Sequence, residues 1–384
     1  MKAAVLGYGT VGAGVYSMLS DAPGMEAGPV LVRPGKAVES FMVSDAALIF
    51  GDPTVDAVVE TLGGLDPAYS YGMRALEAGK HFITANKAMV AAHGLELAAL
   101  AREKGAAFLF SAACGGGVPF LHNLALSAET DRIEAVSGIL NGTTNYMLDA
   151  MQRRGLSYGD ALREAQSLGY AESDPTADVS GLDALRKMQL ACAVAFGVLP
   201  QSGMLCEGME HFTAADVEDI QSRGLVCRLM ARGSRAGESV SAYVEPVLFP
   251  RAAPESSVFT NNNMARYTGK RCGSIALMGQ GAGRFPTASA VLRDLAAAQQ
   301  GARSMFPENC RAAEADNREA VHSYYIRTGG FAAVRLPLRS VLAQGEVVHA
   351  VTEPMSAEKM HALAQNIRKD GNDLFFAALE EELC

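Results

Sequence analysis

The sequence predicts an α/β protein with an N-terminal Rossmann-type parallel sheet, a central α+β domain and a small C-terminal α+β tail. Three observations predict it. Short apolar runs alternate with helical stretches over about the first hundred residues, a glycine-rich loop follows the first run, and helices cluster after about residue 111. Strands that alternate with helices are typical of βαβ units, which assemble into parallel sheets.

The first region alternates five predicted strands with three predicted helices. The strands are Lys2–Leu6, Val30–Arg33, Val55–Leu62, His81–Thr84 and Ala107–Phe110. The helices run from about Val11 to Leu19, around Tyr69–Ala78 and over Met89–Lys104. Glycine favours tight turns and the ends of helices, so the glycines between these runs mark the boundaries.

The middle of the chain predicts helices that cover one face of a sheet. Its predicted strands are Ile133–Ile139, Leu225–Ala231, Val240–Leu248 and Ile275–Met278. Its predicted helices are Thr144–Arg153, Tyr158–Leu168, Gly181–Phe196 and Thr287 to about Gln300. We expect a first domain over 1–118, completed in part by 280–300, and a second domain over 119–302.

A polar stretch, 303–320, predicts a linker, and residues 321–384 predict a small tail. The tail has predicted strands at Tyr324–Arg327 and Val347–Thr352, a helix over Ser356–Lys369 and a last strand starting near Leu374.

Composition excludes several classes of function. The chain has 384 residues, enough for two or three domains, and a net charge of −9 without a Lys/Arg run. That balance argues against nucleic acid and against an anionic membrane as partners.

Seven scattered cysteines without a C-x-x-C predict free thiols in a reducing compartment, the cytoplasm. The apolar N-terminus is rich in glycine and leads into a nucleotide-loop pattern, so we expect no targeting signal there.

The loop after the first strand matches G-x-G-x-x-G, with glycines at Gly7, Gly9 and Gly12. Gly7 suits the tight turn, Gly9 lets a pyrophosphate approach the backbone, and Gly12 lets strand and helix pack closely. The following helix presents free N–H groups and a partial positive charge to the anion. The pattern is weak alone, but a strand precedes it and a helix follows it, which favours a dinucleotide site over a turn without ligand.

The residue after the second strand indicates which dinucleotide binds. NAD-selective sites usually place an acid there, about 20 residues beyond the loop, to bind the ribose 2′-hydroxyl. This chain has Arg33, with Lys36 close by and no acid between them. A cation suits a 2′-phosphate, so NADP is favoured over NAD. The alternative is that Arg33 is only a solvated strand end.

Two segments concentrate charge. Lys87 follows a predicted parallel strand, and the carboxyl ends of such strands face the ligand crevice. Asp183 and Lys187 stand four residues apart on an otherwise apolar helix, with Glu172 and Asp178 on the approach. The alternatives are a surface lysine and one exposed ion pair, which is worth little. An apolar helix would not need so many acids for that, so we favour a site.

Five motifs resemble homoserine dehydrogenases, in order over about residues 1–298. They are Gly7–Gly12, Thr84–Lys87, Gly138–Tyr146, Gly169–Lys187 and Gly281–Val291. The third and fourth are far more specific than the glycine loop.

The resemblance implies reversible oxidation of homoserine to aspartate 4-semialdehyde with NAD or NADP, on the route to threonine and methionine. It implies that Lys187 is the acid/base residue and that Lys87 lies near both nicotinamide and substrate. It implies a substrate pocket formed by Glu172, Asp183, Asp178, Gly142, Thr143 and Tyr170. It implies cofactor contacts from Thr10, Val11, Gly63, Lys87 and Gly283, and a homodimer or larger homo-oligomer that assembles through the central domain.

Two further expectations concern charge. A lysine with its ordinary pKa is a poor base at neutral pH, so we expect burial and Lys87 to lower the pKa of Lys187. The resemblance also implies a monovalent cation, Na⁺ or K⁺, held by the carbonyls of Cys114, Gly116 and Val118. Ser111 stands where the family often has a glutamate ligand, so that site lacks its anionic group.

Many members of the family end in an ACT domain that senses threonine, and residues 321–384 resemble a shortened one. Its usual first helix and ligand turn are not legible around Gly329–Leu338, which predicts weak or absent threonine feedback. Two rival functions stay open at this point. One is a different Rossmann oxidoreductase acting on an amino-acid-derived alcohol, and the other is a nucleotide-binding sensor without chemistry.

Overall fold

In the computed structural model, which describes residues 1–333 and 335–380, the N-terminal region is a six-stranded parallel sheet. Its strands are β1 (Lys2–Leu6), β2 (Glu26–Leu31), β3 (Met42–Val43), β4 (Ala57–Glu60), β5 (His81–Thr84) and β6 (Phe108–Leu109). Their order is β3-β2-β1-β4-β5-β6, which reverses direction between β1 and β4. Ligands of such sheets bind outside the carboxyl ends of the strands at that reversal. The predicted Rossmann-type sheet is confirmed.

Four helices connect these strands and cover both faces of the sheet, which explains why its strands are almost wholly apolar. They are α1 (Thr10–Leu19), α2 (Ala47–Phe50), α3 (Ala68–Glu77) and α4 (Lys87–Lys104). Strand β2 was predicted over Val30–Arg33 but begins four residues earlier, and Arg33 lies beyond its end. The pairing of β1 with β2 shifts register across Gly28 and Pro29, so the strand continues through them.

The central region supplies seven α-helices, one of them only four residues long, and seven strands. The helices are α5 (Phe120–Thr130), α6 (Gly142–Arg154), α7 (Tyr158–Ser167), α8 (Thr176–Val179), α9 (Leu182–Phe196), α10 (Ala214–Ser222) and α11 (Arg284–Gln299). The strands are β7 (Ile133–Ile139), β8 (Val198–Ser202), β9 (Leu205–Cys206), β10 (Leu225–Ala236), β11 (Ser239–Pro250), β12 (Asn262–Gly269) and β13 (Gly273–Gln280). Helix α9 packs against β7, β10 and β11, while α11 returns to pack on α1.

The last part of the chain adds seven strands and two helices. They are β14 (Arg311–Glu314), β15 (Val321–His322), β16 (Tyr324–Gly329), α12 (Gly330–Ala333), β17 (Leu338–Gln344), β18 (Val347–Thr352), β19 (Met355–Ser356), α13 (Ala357–Lys369) and β20 (Leu374–Leu379). The stretch 303–320 was predicted to be a linker, but it contains β14, which pairs in parallel with β8. Four residues with charged ends give no apolar periodicity by which to detect such a strand.

The tail shares its main sheet with the central region. The order is β13-β12-β7-β10-β11-β20-β16-β18-β17, with β9 also on β11. Strand β20 lies parallel to β11, with Val247 opposite Ala378. One continuous sheet therefore runs from the central region into the tail. Helix α12, only four residues long, occupies the stretch where no first tail helix was legible. Among the helices that the structure describes, none is long and apolar enough to cross a membrane.

Candidate active site

Lys187 and Asp183 form an ion pair one helical turn apart on α9. Lys187 Nζ lies 2.6 Å from Asp183 Oδ2 and also donates a hydrogen bond of 2.6 Å to the Leu140 carbonyl oxygen. Gly181 precedes the helix with a φ of 83°, a left-handed conformation that glycine adopts without strain. Both charged side chains are about nine-tenths buried, with 12% and 13% exposed. The pair therefore lies at the inner end of a site, where charge interactions are strong.

Lys87 reaches the same carboxylate from the other domain. It is the first residue of α4, directly after the carboxyl end of β5, and its Nζ lies 3.1 Å from Asp183 Oδ1. Each carboxylate oxygen of Asp183 thus faces a different ammonium group. The structure brings together Lys87, Asp183 and Lys187, which lie on two separate segments of the sequence.

Asp183 and Lys187 shift each other's pKa. Burial raises the pKa of Asp183, but the charges of Lys187 and Lys87, with hydrogen bonds from Lys187 and Asn141, outweigh burial and hold that pKa well below its usual range. Burial lowers the pKa of Lys187, yet the Asp183 carboxylate outweighs burial and the net pKa is raised. Our expectation of a lowered pKa for Lys187 is therefore wrong in direction. The carboxylate between the lysines, which the expectation ignored, is the physical reason.

Asn141 connects this triad to a second carboxylate. Its Nδ2 donates to Asp178 Oδ1 at 2.7 Å and to Asp183 Oδ2 at 2.9 Å, while its Oδ1 accepts the Thr144 N–H at 2.8 Å and caps α6. The cap fixes which end of the amide faces the two acids. Burial, followed by the Asp183 charge, raises the pKa of Asp178 despite the Asn141 hydrogen bond. Sequence reasoning did not place Asn141 in the site, because asparagine before a helix is common as a cap alone.

A cleft of about 650 Å³ opens over this cluster. Its wall includes every predicted substrate residue, namely Gly142, Thr143, Tyr170, Glu172, Asp178 and Asp183. Thr143 Oγ1 donates to the Tyr170 carbonyl oxygen at 2.5 Å, which ties α6 to the loop before α8. Three predicted cofactor residues, Val11, Lys87 and Gly283, line the same cleft from the Rossmann side. The residues predicted to bind substrate and those predicted to lie near the nicotinamide therefore line one cavity.

Several residues of this wall were not predicted. They are Asn141, Asp174, Arg186, Asn261 and Thr287. Arg186 is exposed and makes no hydrogen bond or ion pair with any described residue. Its position directly before Lys187 was a signal that could have identified it, since the carboxylate of an amino-acid substrate needs a cation.

A second groove, of about 1000 Å³, lies beside the glycine loop. Gly7, Gly9, Arg33 and Gly63 line it, together with Lys36. Glu39 also lines it, so the groove holds one acid as well as two cations, which the search between Arg33 and Lys36 missed. Residues of the loop and of the following helix line both cavities, with Gly7 and Gly9 at the groove and Val11 at the cleft.

The glycines of the loop differ in what surrounds them. A Cβ on Gly9 would meet nothing within 4 Å, so the backbone there is open to a ligand. A Cβ on Gly12 would lie 2.1 Å from the Gly7 carbonyl oxygen, so this glycine is needed for packing. Thr10 is the exposed first residue of α1 and lies at neither cavity wall. The loop therefore fits the pyrophosphate role that its pattern indicates.

Some carbonyl oxygens of the loop from Cys114 to Val118, where a monovalent cation was predicted, already accept hydrogen bonds. The Val118 carbonyl already accepts the Phe120 N–H at 2.8 Å, and the Arg293 guanidinium donates to the Gly117 carbonyl at 2.7 Å. Ser111 donates its N–H and its hydroxyl to Asp294, a buried carboxyl whose pKa burial raises to about 7.

Burial also raises the pKa of the Cys114 thiol, to about 12, so that it stays neutral and offers only its carbonyl. In the described part of the chain no cluster of three or more His, Cys, Asp or Glu side chains could hold a metal ion. The ligands that the resemblance implies are carbonyl oxygens and not these side chains, so the monovalent cation site at Cys114, Gly116 and Val118 stays a prediction. The Arg293 guanidinium lies on the neighbouring Gly117 carbonyl oxygen.

Two family models match adjacent segments of the chain. The model described as homoserine dehydrogenase matches residues 119–296, and the one described as homoserine dehydrogenase, NAD binding domain, matches residues 7–111. The homoserine dehydrogenase of Corynebacterium glutamicum is 39% identical over 316 residues, which cover 77% of this chain and 71% of the relative. That of Bacillus subtilis is 34% identical over 319 residues, covering 79% and 74%.

Solved structures extend the likeness over the tail. A homoserine dehydrogenase from Thiobacillus denitrificans superposes with a TM-score of 0.88 at 28% identity, covering 99% of this chain and 98% of that one. One from S. aureus does so with a TM-score of 0.77 at 27% identity, covering 99% of both. With both the matched motifs and the shared fold in place, the chain belongs to the homoserine dehydrogenase family.

Proposed function

We propose that this protein interconverts L-homoserine and L-aspartate 4-semialdehyde with a nicotinamide cofactor, and that Lys187 carries the proton. The observation that carries the proposal is the buried Lys187–Asp183–Lys87 cluster, which lines the cleft shared by the two domains. The rival functions, another Rossmann oxidoreductase or a sensor without chemistry, are not favoured, because the relatives match over both domains.

The cofactor, when bound, supplies or accepts the hydride at the substrate's terminal carbon. Gly7, Gly9 and Gly63 would hold its phosphate and ribose part, while Val11 and Gly283 would flank its reactive end. The chain's own task is to move one proton. In the reducing direction the Lys187 ammonium donates it to the oxygen of the developing alkoxide, and in the oxidising direction the neutral amine accepts it.

The two ends of the amino-acid substrate would meet opposite charges. Glu172 and Asp178 line the cleft as carboxylates and would receive the α-ammonium group. Both lysines are already paired with Asp183, so Arg186 would receive the α-carboxylate. An arginine fork suits a carboxylate because it donates two parallel hydrogen bonds.

NADP is the cofactor that we propose, supported by Arg33 and Lys36 in the outer groove. Both are positioned to attract a 2′-phosphate, whereas Glu39 would oppose one. Arg33→Ala should raise KM for NADP at least about tenfold, because a charge-assisted hydrogen bond is lost, and should leave KM for NAD within about twofold. An equal rise of KM for NADP and for NAD would show that Arg33 does not bind the 2′-phosphate.

The proposal also covers assembly, compartment and regulation. We propose a homodimer, for which the exposed Met278 on edge strand β13 offers apolar surface. We propose a cytoplasmic enzyme of threonine and methionine synthesis, since six of its cysteines are free thiols in the described residues. The tail is proposed to be a shortened ACT-like domain with little threonine feedback, and a threonine titration that inhibits strongly would contradict this.

The experiment that tests the function is a steady-state assay. Purified protein is mixed with homoserine and either NADP or NAD, and absorbance of the reduced nicotinamide is followed. We expect turnover with homoserine to exceed that with related amino-acid alcohols. Repeating the assay with and without added K⁺ or Na⁺ tests whether the carbonyls of Cys114, Gly116 and Val118 hold a monovalent cation. Absence of turnover in both directions with folded protein would overturn the proposal.

A further inference from the structure

Glu60 is a fully buried carboxylate that holds the turn after β4. It is the last residue of that strand and its side chain has no exposed surface. Its Oε1 accepts the N–H groups of Leu62 at 2.6 Å and Gly63 at 3.2 Å, while its Oε2 accepts the Thr84 hydroxyl at 2.5 Å. Hydrogen bonds to a charged acceptor are the stronger kind, and a buried acceptor left unpaired is costly.

A chain of hydrogen bonds continues from Thr84 to Lys87. Thr84 Oγ1 accepts the Asn86 N–H at 2.9 Å. Asn86 then donates its Nδ2 back to the Gly64 carbonyl oxygen at 2.6 Å, and its Oδ1 accepts the Met89 N–H at 3.1 Å, which caps α4. Lys87 is the residue between this cap and the first turn of α4, so its backbone position depends on Asn86.

Two loops of the site are thereby joined. The turn at Gly63 lines the outer groove, and Lys87 lines the inner cleft, where it meets Asp183. Both loops leave the carboxyl ends of adjacent parallel strands, β4 and β5. Because parallel strands end at the same edge, one carboxylate between them can set the distance from the glycine turn to the lysine.

We propose that Glu60, acting through Thr84 and Asn86, is a positioning residue that sets Lys87 relative to the glycine turn at the cofactor crevice. The proposal rests on the proposed function only for the role of Lys87. Neither Glu60 nor Thr84 lines either cavity, so both act through other residues.

The test separates the bonds of Glu60 to the turn at Leu62 and Gly63 from its link through Thr84 to Asn86. Thr84→Val keeps the shape of the side chain and the Glu60 bonds to Leu62 and Gly63, but it cuts the link to Asn86. We expect kcat to fall about 10- to 100-fold, as small misplacements of a catalytic group do. The cofactor Kd, measured by nucleotide fluorescence, should stay within about twofold, since the Gly63 turn keeps its bonds. Thr84→Ser restores the hydroxyl and should restore most of kcat.

Glu60→Gln is the second variant, and it changes both the bonds to the Gly63 turn and the bond to Thr84. A glutamine offers one acceptor oxygen and one donor group, so it cannot accept from the backbone turn and from the Thr84 hydroxyl at once. We expect kcat to fall as in Thr84→Val and the cofactor Kd to rise as well. A buried threonine remote from the site, Thr352, whose Oγ1 accepts the Tyr324 N–H at 3.0 Å, gives the matched control. Thr352→Val should leave kcat and Kd unchanged whatever its melting temperature.

Two results would overturn the proposal. One is a folded Thr84→Val enzyme with kcat within about twofold of the parent, and the other is a loss that Thr84→Ser fails to restore. If Thr84→Val does not fold, unchanged kcat in Glu60→Gln overturns it instead. Lack of turnover in the parent protein is a different outcome, because it refutes the proposed function before any variant is compared.

Discussion

Asp183 and Lys187 each favour the charged form of the other. Its low pKa contributes stability that is present above the ordinary carboxyl range near pH 4 and is lost as pH falls through its folded pKa. The raised pKa of Lys187 contributes stability below the ordinary lysine range, which is lost as pH rises through the raised value. Both contributions are fully present at neutral pH, where the site holds two ammonium groups and one carboxylate between them.

Replacing Lys187 should remove the proton transfer, and it should also lower stability because the buried Asp183 carboxylate would keep only Lys87 and Asn141 as partners. We expect Lys187→Ala to lower kcat about 100- to 10,000-fold in both directions, the usual worth of a positioned acid or base. The cofactor Kd should change little, because Lys87 and the glycine loop remain. Circular dichroism melting checks that the variant is folded, and near-normal turnover by folded protein would refute the assignment.

The raised pKa of Lys187 predicts opposite pH behaviour in the two directions. Reduction uses the ammonium, which dominates at neutral pH, so its kcat should be flat between about pH 6 and 8. Oxidation uses the neutral amine, whose fraction grows about tenfold per pH unit below the pKa, so its kcat should climb steeply through the same range. Measuring kcat at saturating substrate tests this. An oxidation rate that levels off near neutral pH would mean that the pKa of Lys187 is lowered in the complex.

Arg186 should matter only for substrates with a carboxylate. We expect Arg186→Gln to raise KM for homoserine about 10- to 100-fold, the worth of a charge-assisted pair. With 3-aminopropanol, which is homoserine without its carboxylate, parent and variant should react equally slowly. A variant that loses activity equally on both substrates would show that Arg186 supports the site in another way.

At the scale of elements, the glycines of the loop have different roles, because Gly9 serves cofactor binding and Gly12 serves packing. Gly9→Ala adds a methyl group into open space, so stability should hold while the cofactor Kd rises at least about tenfold, because the pyrophosphate loses its approach. Gly12→Ala adds one against the Gly7 carbonyl oxygen, and we expect a loss of about 1–3 kcal/mol or more of stability. Thermal melting and cofactor titration of both variants distinguish the roles, and equal losses of stability would contradict the division.

Local patterns predicted the parts of the site that lie on one element. The i, i+4 spacing of Asp183 and Lys187 fixes their contact once α9 is a helix, and the end of β5 fixes the edge at which Lys87 emerges. The ion pair between Lys87 and Asp183 depends on how two domains pack together, and a local sequence pattern cannot predict that packing. The direction of the Lys187 pKa failed for a different reason, because Asp183 on the same helix outweighs burial and the expectation weighed only burial and Lys87.

At the scale of the whole molecule, the tail could be predicted as strands and a helix but not placed. Its strand β20 pairs with β11, more than a hundred residues earlier in the chain. Pairing between strands so far apart in the sequence depends on which sheet edge is free, and the alternation of apolar residues within a strand does not predict that. The predicted boundary at residue 320 therefore separates stretches of sequence that share one sheet.

The ion pair that docks the tail onto the central region is buried, whereas a local pair just before the tail is exposed, and their contributions to stability should differ accordingly. Arg327 on β16 lies 2.7 Å from Asp216 on α10, and their side chains are 9% and 0% exposed. Arg318, before β15, pairs with Asp316 at 2.6 Å, but 73% of its side chain is exposed. Arg327→Met would leave a buried carboxylate without its partner, which costs about 3–5 kcal/mol, whereas Arg318→Met should cost at most about 1 kcal/mol. Urea unfolding of both variants measures the difference, and kcat should stay near the parent value because neither residue lines the cleft. Equal free energies of unfolding would show that the tail is held by its sheet pairing and not by this buried pair.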